Sequence, residues 1–134
     1  MTLFKSSLAL LLLLVFTACM GGGPRPKPTW TEGLYESPAG KAFGVGAARF
    51  NVRGHHAQKQ EAMAQAIDII ARQKGVKVEN SLERIKQVDS GQVSRASSIA
   101  YSFQSVNGTK VNAKIKDLYH DKYHDIYYVL MVEE

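Results

Sequence analysis

Apolar and polar residues follow two different periods along this chain, and the periods mark its elements. Ala42-Phe43-Gly44-Val45-Gly46-Ala47-Ala48 is a short apolar run that predicts a buried strand, with glycines that allow a bend or a close approach. Trp30 to Pro38 before it is an irregular lead-in, and Arg49 to Gly54 after it is turn-like. From His55 to Lys74 the period lengthens. Ala62, Ala66, Ile69, Ile70 and Gln73 fall at three-and-four spacing, and Met63 and Ile67 widen the apolar face. Gln58, Lys59, Glu61, Gln65, Asp68 and Arg72 cover the other side, so an amphipathic helix is predicted. Gly75 stands where a left-handed helix cap is wanted.

Val76-Lys77-Val78-Glu79 begins a second strand that continues weakly to about Ile85; a single long strand over 76–88 competes with it. Asp89-Ser90-Gly91 is a turn, and Val93, Ala96, Ala100 and Phe103 share one helical face, which predicts a second helix over about 93–105. Asn107-Gly108 is a strong break. Lys110 to Leu118 alternates as a half-exposed strand does, and Tyr119 to Asp125 is a polar connection. Ile126 to Val132 is apolar on both faces, as in a central or interface strand. The pattern predicts an α+β domain: an antiparallel sheet of three to four strands packed against one long helix, with a second short helix as an option.

The N-terminus changes the picture. Lys5 is the one charge before the apolar run Leu8–Phe16, which falls well short of the ~20 residues that span a bilayer and fits a secretion signal. Thr17 and Ala18 are small, and Cys19, the only cysteine of the chain, follows them directly. A lone cysteine cannot form an internal disulfide, and an unpaired thiol on an exported protein is reactive. A thioether to diacylglycerol removes that liability. Residues 1–18 are therefore expected to be a lipoprotein signal and Cys19 the lipidated first residue of the mature chain. Each buried CH₂ of its acyl chains contributes ~0.8 kcal/mol to anchoring. Phe16 stands where leucine is commoner in such signals, and Met20 is not the aspartate of inner-membrane retention, which points to the outer membrane.

Gly21-Gly22-Gly23 and then Pro24, Pro26 and Pro28 make a flexible and then stiffer spacer, so residues 19–37 read as a tether. The remainder, 38–134, is about 100 residues, enough for one small domain. Seventeen lysines and arginines face twelve acids, and loss of Lys5 with the signal lowers the net charge of +5 by one. Arg25 and Lys27 beside the anchor suit anionic headgroups. A nucleic-acid partner is not expected of a lipid-tethered, exported chain.

Candidate chemistry is thin. His55, His56, His120 and His124 invite a metal reading, and the last two are four apart, which is ligand spacing on a helix. Here that segment joins two strands, and no cysteine is free to assist, so a polar hairpin loop and no metal are expected. Gly44-Val45-Gly46 has Arg49 where a dinucleotide loop needs its third glycine. Ser97 and Ser98 have no local histidine and acid. No enzyme and no cofactor are expected. Tyr101, Tyr119, Tyr123, Tyr127 and Tyr128 crowd the C-terminal third, and tyrosine suits interfaces. Tyr127, Tyr128 and Trp30 are the interface candidates, although Tyr127 and Tyr128 can also simply straddle the sheet.

Taken in order, Cys19, the spacer, Pro28-Thr29-Trp30, the Gly44-Val45-Gly46 strand, the helix ending Ala66-Ile67-Asp68-Ile69-Ile70-Ala71-Arg72, Val76-Lys77-Val78 and the closing Tyr127-Tyr128-Val129-Leu130-Met131 resemble the LPP-type twenty-kilodalton outer-membrane lipoprotein family, with its FlgP-like flagellar lipoproteins. The resemblance implies a small dodecin-like domain, outer-membrane attachment and a structural role, in the FlgP-like members as a ring or disk around the flagellar motor. It transfers no catalytic residues. The expected function is a lipid-anchored lipoprotein that self-associates, burying a spare sheet face around Tyr127 or Tyr128, or docks to an envelope assembly. The alternative is a surface or periplasmic binding module for a host or cell-wall ligand.

Overall fold

The computed structural model describes residues 23–79, 81–83, 85–86, 100–105 and 107–134. Cys19 and Ser97 and Ser98 lie outside them, as does the 93–99 part of the expected second helix. The strands are β1 (Phe43–Ala48), β2 (Ala100–Gln104), β3 (Lys110–Asp121) and β4 (Ile126–Glu133), and the long helix is α1 (His55–Gln73). They form one antiparallel sheet in the order β1-β4-β3-β2, with α1 across one face. The α+β class, the four-stranded antiparallel sheet and the single long helix are as expected. Among the described residues no helix is long and apolar enough to cross a membrane.

Two segments differ from expectation. Residues 100–104 are a strand, not the end of a helix: Tyr101 and Phe103 are buried while Ser102 between them is exposed. The three-and-four spacing of Val93, Ala96, Ala100 and Phe103 masked this shorter period of two. The strand expected from Val76 to Ile85 is reduced to one bridge between Val78 and Ser105, and residues 81–83 and 85–86 are helical. Ser81 Oγ donates to Asp68 Oδ1 at 3.1 Å, and Ile85 joins the core, so this turn is held against α1 rather than extended from it.

The core lies between α1 and the sheet. Ala62, Met63, Ala66, Ile67 and Ile70 of α1 meet Val129 and Met131 of β4 and Val111, Ala113 and Ile115 of β3. α1 sits unusually low on β1. A Cβ added to Gly46 would lie 1.6 Å from the Ala62 carbonyl oxygen, and one on Gly44 2.1 Å from that of Ala66. The glycines thus serve a close approach of helix to strand, the second of the two roles expected of them. At its end α1 closes in a Schellman motif: Gly75 adopts φ 69°, its N–H donates to Arg72 O, and Val76 N–H donates to Ala71 O.

β1 is an edge strand, and α1 covers its free side with side chains. Gln73 both accepts from Phe43 N–H (3.2 Å) and donates to Phe43 O (2.7 Å), and Gln65 Oε1 accepts from Ala47 N–H at 3.1 Å. These amides stand where a neighbouring strand would bond.

Candidate functional site

The outer face of the sheet, away from α1, carries Phe43, Val45, Tyr128, Leu130, Val132, Asp117 and Tyr119 by the strand register. It is not left open. Residues 25–35, which composition places in the tether, run over it as a strap. Trp30 sits in a 3-10 turn (Thr29–Glu32) packed on β4 and is only 7% exposed; Leu130 and Val132 are buried too, though they lie apart from the main core. Tyr35 meets Phe43 edge-on at 5.2 Å, and the Lys27 ammonium lies 5.4 Å from the Tyr128 ring centre.

Asp117 clasps the strap. The Arg25 guanidinium binds it with both terminal nitrogens, at 3.1 and 2.6 Å, and Trp30 Nε1–H donates to the same carboxylate at 3.0 Å. Asp117 is available because a bulge between Ile115 and Asp117 shifts β3 by one residue. The hydrogen bond from Arg25, above all, holds the Asp117 carboxyl below the usual carboxylate range. A lowered folded-state value means that the contact is fully present above the ordinary range and is lost as pH falls through the lowered value. Trp30 is the one tryptophan, so its fluorescence reads the strap directly. Its emission is expected to move to the red below about pH 4, ahead of the far-UV signal of α1. Asp117→Asn should already be red-shifted at neutral pH. Emission that stays constant until the helix melts would show that Asp117 does not hold the strap.

The same bulge sets the second cluster, on the helix side at one end of the sheet. Past it, Leu118 and His120 face α1, where an uninterrupted alternation from Ile115 would have aimed Asp117 and Tyr119. His120 Nε2 shares a hydrogen bond with Asp125 Oδ1 at 2.9 Å, and its ring stacks on Tyr127 at 4.6 Å and 14°. His55, the first residue of α1, brings Nε2 to 3.8 Å from the same oxygen, its ring 4.7 Å from that of His120. Asp125 closes the β3–β4 turn at φ 51°, a conformation rare for residues other than glycine. Its carbonyl accepts from Gln58 Nε2 at 2.7 Å, and the same buried amide donates to Ala48 O at 3.0 Å. One side chain therefore fixes the end of β1, the start of α1 and the turn together. The His120 hydrogen bond, chiefly, holds Asp125 ionised below the usual range. His124 belongs elsewhere: its Nδ1 lies 2.8 Å from Asp121 Oδ2 on the outside of the turn.

Of the interface candidates, Trp30 is buried within its own chain, and Tyr127 and Tyr128 straddle the sheet, each half-buried against neighbours of the same chain. The exposed large apolar side chains at this end are others: Phe50 (72% exposed), Val52 (88%) and Tyr123 (91%). Phe50 and Val52 follow β1 and Tyr123 tips the hairpin, with Arg49, Arg53 and Lys122 beside them in sequence. Gly23, Pro24 and Arg25 line a groove with Leu118 to Tyr123, so the strap reaches this same tip. The sequence missed Asp117 and Asp125 because neither follows a motif; the one clue was that β3 has polar residues where its alternation should be apolar. No family model, no curated protein and no solved structure matches the chain.

Proposed function

We propose that this chain is an outer-membrane lipoprotein of structural role, anchored through acyl chains on Cys19, which associates with itself or docks to an envelope assembly. The observation that carries this reading is the order at the N-terminus: one lysine, a short apolar run, Thr17-Ala18 and the lone Cys19. The geometry of the strap supports it. Cys19 precedes Gly23 by four residues, a reach of at most ~14 Å, and Gly23 lies beside the hairpin tip. Acyl chains on Cys19 would hold that tip close to the headgroups, where Phe50, Val52 and Tyr123 are apolar and Arg49, Arg53 and Lys122 are cationic. The likeness to the LPP-type lipoproteins favours the structural role, and in the FlgP-like members a flagellar one.

Cys19→Ser is expected to abolish palmitate labelling and to release the protein from membranes. A variant that stays membrane-bound after a high-salt wash would overturn the anchor. A second reading, a binding module acting as a single copy, is favoured by the burial of Leu130 and Val132 beneath the strap, which removes the spare sheet face that would drive self-association. Light scattering on the detergent-extracted protein separates the two: a defined oligomer supports the scaffold, a monomer the binding module.

A further inference from the structure

We propose that His55, His120 and Asp125 form a binding site for one late first-row divalent cation, zinc first among them. Three separate segments, the start of α1, the end of β3 and the turn into β4, bring two imidazole nitrogens and a carboxylate oxygen within 4.8 Å of one another. Donors around a tetrahedral zinc ion lie about 3.3 Å apart, given bonds of ~2.0–2.1 Å. The Asp125 and His120 donor atoms are already nearer than that, at 2.9 Å, and His55 at 3.8 Å from Asp125 has about half an ångström to close on that side. His55 is exposed at the first turn of the helix and has the freedom to make that movement.

The surroundings are those that hold metal ligands rather than those of a chance surface pair. A bound ligand needs its orientation fixed from behind. The Gln58 amide, fully buried, fixes the Asp125 backbone through its carbonyl, and the Tyr127 ring stacks on His120 and limits its rotation. Asp125 Oδ1 lies within ion-pair distance of both imidazoles, so one cation placed among them would meet all three donors. Two imidazoles and one carboxylate select zinc, nickel or copper over magnesium and calcium, which take oxygen donors. With three protein ligands and the cluster open to solvent on the His55 side, a fourth position is left to water or to a donor from a bound partner.

The test is calorimetric titration of zinc chloride into the full-length protein in detergent, with cobalt(II) as a spectroscopic stand-in. One ion per chain is expected, together with the visible absorption of a tetrahedral cobalt site. His55→Gln should weaken zinc binding at least about tenfold and remove that absorption. This is the decisive variant, because His55 is exposed and its loss leaves the His120–Asp125 hydrogen bond intact; an unchanged far-UV spectrum would confirm that the fold survives. Asp125→Asn should have the same effect. His124→Gln, on the far side of the turn, should leave affinity and stoichiometry unchanged. No saturable uptake by the wild type would overturn the site, as would wild-type affinity in His55→Gln or an equal loss in His124→Gln.

Discussion

Replacing Gly46 with alanine is expected to be the most damaging single-methyl change in this protein. The new Cβ would be 1.6 Å from Ala62 O, 2.6 Å from its carbonyl carbon and 3.0 Å from Ala66 N. All three are backbone atoms of α1, so no side chain can rotate away, and the helix itself has to lift. Lifting it would loosen Ala62, Met63 and Ala66 from the sheet at once. Overpacking of a well-filled core costs about 1–3 kcal/mol and more where relief is blocked, so about 3 kcal/mol or beyond is expected here. For a domain of this size that lowers the melting temperature by more than ~10 °C. Gly75 is the control. Its φ of 69° disfavours alanine, yet nothing lies within 4 Å of the added carbon, so Gly75→Ala should cost only ~1 kcal/mol. Equal melting temperatures for the two variants would mean that α1 does not ride on the bare backbone of β1.

The second large effect is expected at Trp30. Truncation to alanine removes the side chain that covers Leu130 and Val132 and should destabilise the protein by about 3 kcal/mol. It should also uncover an apolar patch on the outer face, so that the variant associates at concentrations where the wild type scatters light as a smaller particle. Trp30→Phe separates the two contributions of the indole. It keeps most of the covering area and loses only the hydrogen bond to Asp117, worth ~1.5 to 3 kcal/mol for a charged acceptor, without the change in association. Leu34→Ala, at an exposed position on the same strap, should stay within ~0.5 kcal/mol of the wild type. A Trp30→Ala variant as stable as the wild type would show that the strap is no part of the folded unit.

What was legible in the sequence were the elements whose period is uninterrupted. α1 runs 55–73 against an expected 55–74, and β1 and β4 agree to within one residue. The Gly75 cap is where a glycine after a periodic stretch should place it. What was not legible depends on contacts distant in sequence. The alternation that predicts β3 breaks at Leu118, whereas the strand continues to Asp121 beyond a bulge that resets the phase. That one-residue reset turns His120 towards α1 and into reach of His55, so a segment that read as a polar loop supplies part of a cluster. The strap was equally hidden: nothing in a run of glycines and prolines announces that Arg25 and Trp30 will meet on Asp117, 92 and 87 residues away. His120 and His124, four apart in sequence, have different partners: His124 Nδ1 lies 2.8 Å from Asp121 Oδ2, and His120 Nε2 lies 2.9 Å from Asp125 Oδ1.

The glutamines on the edge of β1 bear on how many copies could ever join through their sheets. With Gln73 and Gln65 bonded along that edge, a strand from another molecule would have to displace two side-chain amides before it could pair. At the opposite margin Val78 bridges Ser105, the residue after β2, so that edge too is met by its own chain. Two molecules that joined through β2 all the same would leave the amide-bonded β1 margin at each outer end. Growth of that kind ends at a pair and does not propagate into a fibre.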